Sequence, residues 1–315
     1  GGCEIGLRPI DLHLQGLRAL GAQIEEKHGH ILCSGALHGG EVHLDYPSVG
    51  ATENVMMAAC GAAGDTVIHN AAREPEIVDL GRFLNACGAR VRGMGTDSIR
   101  ISGRDAPLHG CTYAPLPDRI CAGTLLCGAA ITGGDVYVRD AREQDLSALL
   151  HKLRETGCEI HLPQGGGVRA IAPKRLRAVR RIETAPFPGF PTDMQPQMAA
   201  MLTCAEGTSI ITEGVWDNRF RYTEQLVRMG ARITVDGKVA VIEGVKGLRG
   251  APVKACDLRG GAAVIIAGLM AKGTTEIEDT LHIERGYENV VEKFAGIGAD
   301  LHYITLPDQP LSEQA

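Results

Sequence analysis

Arginines recur at a fixed phase of this chain, and three short segments add groups able to move protons or approach an anion. Arg8, Arg73, Arg142, Arg219 and Arg285 each stand 11 to 15 residues before a recurring glycine. A guanidinium offers five N–H donors in a rigid fork that matches phosphate or carboxylate. At an effective dielectric near 20, one close arginine–anion pair supplies about 4 kcal/mol of Coulomb energy before desolvation. Thr192-Asp193-Met194-Gln195 has the form of a capping box, with Thr192 as N-cap and Gln195 at N3. Asp193 then falls in the first helical turn, where it either complements the helix dipole or takes a proton from a hydroxyl. Ser48-Val49-Gly50-Ala51-Thr52 starts another helix with small residues, which either cap it or let a ligand approach the backbone. Cys3 is flanked by glycines with Arg8 nearby, a setting that favours thiolate; on composition alone it reads equally well as an incidental thiol.

The elements that must position these groups come from an internal repeat. An apolar residue, Gly, a small residue, a spacer and an apolar residue recur around Gly21, Gly88, Gly157, Gly230 and Gly298, at intervals of 67, 69, 73 and 68. A helix that ends at a left-handed glycine and runs into a strand explains the phrase. A second phrase opens at Gly64, Gly134, Gly207 and Gly273, at intervals of 70, 73 and 66. It closes an Ala- and Gly-rich helix and begins a strand. The unit is helix, strands, helix, strand, about 70 residues long by these intervals. The first helix of each unit is amphipathic, as in residues 11–20. The second is apolar nearly all round, as in residues 261–268, and is expected to be buried on every side. Strands such as residues 135–139 alternate, as sheets with one wet face do. Buried helices beneath outward-facing sheets make an inside-out α/β arrangement. The second helices begin near Ser48, Arg119, Thr192-Asp193 and Asp257-Leu258-Arg259, and repeat symmetry would gather these starts, with their N–H groups and dipole ends, beside the arginines. Pro115-Leu116-Pro117 is a natural joint, dividing the chain into residues 1–115 and 116–315.

Composition narrows the function. The chain has 315 residues, room for two domains, and a formal net charge of -6 with 4% aromatic residues. Neither a general nucleic-acid binder nor an anionic-membrane binder is expected from that balance. The longest apolar stretch, near residues 260–271, is too short to span a bilayer, and no signal peptide is evident. Ten cysteines lie scattered without a Cys-x-x-Cys pair, so reduced thiols in a cytoplasmic protein are expected, with no zinc site. Cys60, Cys127 and Cys204 read as small core hydrophobes. The chain begins Gly1-Gly2-Cys3 without an initiator Met and reads as a fragment or processed product.

Several segments together resemble one family. They are Gly1-Gly2-Cys3 with Arg8-Pro9-Ile10-Asp11-Leu12-His13, Ser48 to Thr52, Ala72 to Ile77, Leu116 to Arg119, Phe190 to Gln195, Asn218-Arg219-Phe220, Asp257-Leu258-Arg259 and Arg285 to Glu288. The chain resembles, over essentially its whole length, the bacterial UDP-N-acetylglucosamine 1-carboxyvinyltransferases, enolpyruvyl transferases that open peptidoglycan synthesis. The resemblance implies a two-domain inside-out α/β barrel of βαβαββ-type units, three per domain, incomplete here at the N-terminus. It implies transfer of the enolpyruvyl group of phosphoenolpyruvate to the 3′-hydroxyl of UDP-N-acetylglucosamine, with no cofactor and no metal, by a cytoplasmic monomer. By resemblance Cys3 is the general acid and the thiol alkylated by fosfomycin-like epoxides. Asp193 is the base near the sugar hydroxyl, and Arg285 a phosphoenolpyruvate ligand. Arg8, Pro9, Ile10, Asp11 and Leu12 line the UDP-sugar site. Ser48, Val49 and Gly50 contact the diphosphate, and Val215 the sugar nucleotide. Arg119, Arg219 and Arg259 are inter-domain or anion-facing.

The family's Lys-Asn pair and a further arginine belong to sequence ahead of Gly1, so the isolated chain is expected to be inactive alone. Tyr46, Cys121 and Trp216 depart from the family pattern. Two alternatives stand beside this reading, a non-catalytic UDP-sugar-binding paralogue and a 3-phosphoshikimate 1-carboxyvinyltransferase.

Overall fold

The computed structural model describes residues 10–103 and 106–304. Cys3, Arg8 and Pro9 lie outside them. The described chain starts part-way through a repeat, with α1 (Asp11–Ala19) and the antiparallel hairpin β1 (Gln23–Lys27) and β2 (His30–Ser34). A full unit follows: β3 (Glu41–His43), α2 (Val49–Ala59), β4 (Thr66–His69), α3 (Pro75–Ala86), β5 (Val91–Arg92) and β6 (Ser98–Ile101). Here β3 and β4 pair in parallel across the α2 crossover, and β6 joins β4 antiparallel to β5, giving the order β3-β4-β6-β5.

The next unit runs α4 (Arg119–Thr132), β7 (Asp135–Val138), α5 (Glu143–Glu155), β8 (Glu159–His161) and β9 (Val168–Ile171). A second full βαβαββ unit comprises β10 (Arg181–Glu183), α6 (Gln195–Leu202), β11 (Thr208–Thr212), α7 (Thr223–Arg228), β12 (Arg232–Asp236) and β13 (Val239–Glu243). Its sheet order, β10-β11-β13-β12, copies that of the first unit. The described chain finishes with β14 (Pro252–Lys254), α8 (Leu258–Met270), β15 (Glu276–Glu278), α9 (Leu281–Glu284) and α10 (Val290–Gly296). Among the described residues the strands form five separate sheets and do not close into a barrel.

The repeat glycines behave as the spacing predicts. Gly21, Gly88, Gly157, Gly230 and Gly298 have φ of +90°, +97°, +96°, +96° and +99°, the left-handed region where a side chain is strained. In the second phrase Gly64, Gly207 and Gly273 are also left-handed, at φ +86°, +108° and +89°, and beside Gly134 it is Gly133, at φ +74°, that turns the chain.

Helices α4, α6 and α8 pack on one another, and every residue of α6 is buried. At Gly261 an added Cβ would run into Ile283 and lie 3.1 Å from the Ala255 Cβ. Gly261→Val should therefore destabilise the fold by about 1–3 kcal/mol, read from the urea midpoint. On helix α2, Ala51, Val55, Met56 and Ala59 are buried and Met57 is 49% exposed among the described residues. Apolar side chains of residues 20–101 form one core; residues 120–267 form a second, with a satellite of residues 255–294 against it. Cys60, Cys127 and Cys204 are buried as expected. Among the described residues no helix is long and apolar enough to cross a membrane.

Candidate active site

Asp193 sits in the 3-10 turn Thr192–Met194 that leads into α6. The capping box expected there does not form. Pro191 precedes the turn, Thr192 caps nothing, and its hydroxyl donates to Glu213 Oε2 at 3.1 Å. Gln195 instead accepts a hydrogen bond from the Tyr222 hydroxyl at 2.9 Å. A buried acceptor nearby, Glu213, outcompetes the local backbone for the threonine hydroxyl.

Both carboxylate oxygens of Asp193 are held by arginines. Arg219 Nη2 donates to Oδ1 at 3.1 Å and Arg259 Nη2 to Oδ2 at 3.0 Å. Arg219 is supplied by the 3-10 turn before α7 and Arg259 by the first turn of α8. Arg219 is 2% exposed and also lies 3.8 Å from Asp257. Burial by itself would push the Asp193 carboxyl up; Arg259, Arg219 and Arg119 outweigh it and hold the carboxyl below the usual carboxylate range. Because its folded value is depressed, this cluster's contribution to stability is present above about pH 4 and is lost as pH falls through the lower folded value. Asp193→Asn should flatten that acid limb in a pH series of denaturation midpoints.

Three guanidinium nitrogens here, Arg219 Nε and Arg259 Nε and Nη1, are buried and make no hydrogen bond among the described residues. A buried unsatisfied donor costs about 1–3 kcal/mol, and more when charged. Beneath Arg259 lies the Tyr287 ring, 5.4 Å from its guanidinium carbon. The Tyr287 hydroxyl joins Thr124 of α4 at 2.9 Å and Gln197 of α6 at 3.1 Å, tying the three core helices together at their heads.

Arg119 faces the other way. Its Nε donates to Glu76 at 2.8 Å, and its guanidinium lies over Phe187 at 5.9 Å. Glu74 accepts from the Phe187 backbone N–H at 3.2 Å. These contacts link the start of α3 to the segments around α4 and α6. The arginine is nevertheless close enough to Asp193 to help depress its carboxyl.

Val215 is half-buried in a loop built on Glu213, a carboxylate 1% exposed. Glu213 Oε1 accepts from the Thr184 hydroxyl at 2.8 Å, Val215 N–H at 2.9 Å and Trp216 N–H at 3.1 Å. Glu213 therefore joins the Val215 loop to Thr192, next to Asp193. On the opposite side, burial and the charges of Glu74 and Glu213 push the Tyr46 phenol up.

Ser48 caps α2, its hydroxyl accepting from Ala51 N–H at 3.3 Å, with Val49 and Gly50 half-buried behind it. Gly50 packs against His13 of α1, where a Cβ would stand 3.0 Å from the imidazole. Ile10 and Asp11 are exposed at the start of α1, while Leu12 packs on the first core. Arg285 is exposed at the end of α9, two residues before Tyr287.

Two expectations need correction. The phased arginines do not form one group: Arg142 pairs with Asp145 of its own helix at 3.2 Å, and Arg73 is exposed. Nor are the helix starts open anion sites. Asp118 accepts from Ile120 and Cys121 N–H at 2.7 and 3.0 Å, and Asp257 from Arg259 and Gly260 N–H at 3.0 Å each. Aspartate caps use up those donors, leaving the arginine side chains to attract an anion. Sequence reasoning missed Glu213 and Gln197. Their signal was polarity in apolar surroundings, most visibly the two glutamines of α6.

A model of the EPSP synthase (3-phosphoshikimate 1-carboxyvinyltransferase) family matches residues 1–294. The chain belongs to the enolpyruvyl transferase family. Within it, the chain is 55% identical over 302 residues to UDP-N-acetylglucosamine 1-carboxyvinyltransferase 2 of Caldanaerobacter subterraneus subsp. tengcongensis, covering 96% of this chain and 72% of that protein. It is 51% identical over 311 residues to the UDP-N-acetylglucosamine 1-carboxyvinyltransferase of Finegoldia magna, covering 98% and 73%. Among solved structures it superposes on the enolpyruvyl transferase NikO from Streptomyces tendae with a TM-score of 0.84 at 25% identity, over 96% of this chain and 74% of that one. EPSP synthase from Acinetobacter baumannii shares the fold with a TM-score of 0.70 at 22% identity. This enolpyruvyl transferase is thus an enzyme of the transferase class, and the relatives named above as more than half identical are UDP-N-acetylglucosamine 1-carboxyvinyltransferases.

Proposed function

We propose that this enolpyruvyl transferase moves the enolpyruvyl group of phosphoenolpyruvate to the 3′-hydroxyl of UDP-N-acetylglucosamine, releasing phosphate. The observation that carries the reading is the buried arginine pair with unspent donors on either side of Asp193. Phosphoenolpyruvate and UDP-N-acetylglucosamine are both anionic, and such a pair suits an anion. The reaction supplies peptidoglycan synthesis, hence cell shape and division, and runs in the cytoplasm. Residues 1–115 and 116–315 act as its two domains, a division supported by the separate cores on either side of the Pro115–Pro117 joint.

Protonation of C3 of phosphoenolpyruvate places positive charge at C2. The sugar hydroxyl attacks C2 while its proton passes to Asp193. Loss of phosphate with removal of a proton from C3 restores the double bond, now on the sugar ether. Cys3 supplies the first proton. Asp193 at rest is a weak base, because two arginines hold its carboxyl down; an anionic substrate that draws them away raises its basicity. Arg119, Arg219, Arg259 and Arg285 hold phosphate and carboxylate, while Arg8 to Leu12, Ser48 to Gly50 and Val215 hold the UDP-sugar. No metal or redox group is required by this proton and group transfer.

The test uses the product of the whole reading frame. Phosphate release should require phosphoenolpyruvate together with UDP-N-acetylglucosamine, and shikimate 3-phosphate should not substitute. Release with shikimate 3-phosphate alone would overturn the substrate assignment. Binding of UDP-N-acetylglucosamine without turnover would overturn catalysis in favour of a sugar-nucleotide binder. Fosfomycin should label the protein covalently and Cys3→Ala should not be labelled, as intact mass will show; labelling that persists in Cys3→Ala removes that thiol from the site.

A further inference from the structure

The solvent face of the β3–β4 pair carries a second group of chemistry-bearing side chains, separate from the cluster around Asp193. Glu41 and His43 flank buried Val42 on β3, so the two-residue alternation of a strand puts both on the outer face. His43 is the register partner of His69 on β4. Glu41 Oε2 lies 3.6 Å from His43 Nε2 and 3.7 Å from His69 Nε2. The three ligand atoms all fall within 4.8 Å of one another. The imidazoles stack, with centroids 4.3 Å apart and planes at 9°. His69 Nε2 is shielded from water yet makes no hydrogen bond. A shielded ring nitrogen with no hydrogen bond, aimed at a neighbouring imidazole and a carboxylate, is poorly satisfied without a ligand.

We propose that Glu41, His43 and His69 bind one borderline divalent transition ion, of the Zn²⁺, Ni²⁺ or Cu²⁺ class, with water completing its shell. Two imidazoles and one carboxylate form a donor set that suits these ions. Calcium and magnesium want oxygen ligands and are disfavoured. Ligand bonds of about 2.1 Å at tetrahedral angles place donor atoms about 3.4 Å apart. The observed carboxylate–imidazole separations of 3.6 and 3.7 Å are near that value. Exposed His43 has room to turn so that both ring lone pairs converge. Arg100, opposite Val67 on the same face, opposes the ion by charge, so affinity should be modest. The bound ion would add a side-chain clip between β3 and β4, the parallel strands already paired through their backbones.

The experiment is a Ni²⁺ and Zn²⁺ titration of chelator-stripped protein with its reactive thiols alkylated, so that the ten cysteines do not compete. Isothermal calorimetry should give one equivalent, and a thermal melt should shift upward with metal. His43→Ala, His69→Ala and the double variant should each lose at least about tenfold in affinity and lose the metal-dependent shift, while melting without metal stays close to the parent. Glu41→Gln should weaken binding less. Circular dichroism confirms folding of each variant, since these are surface positions. Absence of saturable binding, or equal binding by the His43→Ala/His69→Ala double variant, overturns the site and leaves a stacked surface histidine pair.

Discussion

Asp193→Ala should lower kcat for enolpyruvyl transfer by about 10²- to 10⁴-fold, the range usual for loss of a positioned acid–base group. The carboxylate touches both Arg219 and Arg259, so its removal also leaves two buried cations without their shared counter-charge. Breaking a buried pair by deleting one partner costs about 3–5 kcal/mol, although the 42% exposure of the Asp193 side chain brings this to the low end. Two variants separate the effects. Asp193→Asn keeps the shape and can still meet one arginine, but it cannot accept the hydroxyl proton. If Asp193 serves as base, kcat per folded molecule falls in both variants. If it serves only to hold the arginines, Asp193→Asn retains near-normal kcat and only the melting temperature moves.

Glu213→Ala should be strongly destabilising, by about 1–3 kcal/mol or more for the buried donors it leaves unpaired. Its carboxylate accepts from two hydroxyls and two backbone N–H groups, all at 2.8 to 3.1 Å. Truncation leaves these donors without an acceptor and opens a cavity beneath the Val215 loop. The same loss frees Thr192, whose neighbour is Asp193, so KM for the UDP-sugar should rise in whatever fraction folds. Glu213→Gln tests the charge, because the amide keeps one acceptor but turns a donor toward another donor. A milder stability loss in Glu213→Gln with the same rise in KM would show that the loop responds to the hydrogen-bond pattern more than to volume. Near-parent stability in Glu213→Ala, by urea denaturation, would refute the role.

Much of the architecture was legible in the chain because it repeats. Five glycines at near-equal intervals foretold five left-handed helix ends, since only glycine takes that conformation without strain. Apolar patterning foretold the three buried helices α4, α6 and α8. Helix α2 shares their composition and packs on α1, α3 and β4, while Met57 on it is 49% exposed. Composition reports what a helix tolerates, whereas coverage depends on how many neighbours pack on it.

At the site, residue types were readable and pairings were not. Thr192 and Gln195 had the local pattern of a capping box, yet Thr192 bonds Glu213 and Gln195 bonds Tyr222. Those partners are 21 and 27 residues away in sequence. The helix-start aspartates likewise looked like anion-site neighbours and proved to be caps.

By itself the sequence determined the repeat, the helix ends and the buried crossover helices, because these rest on local backbone preference and periodic polarity; membership in the enolpyruvyl transferase family it carried through its likeness to named relatives. Only the tertiary structure decided which arginines meet Asp193, which way its carboxyl shifts and where Glu41, His43 and His69 converge. Each of those depends on side chains brought together across tens of residues, and on a balance of burial against charge that no single segment carries.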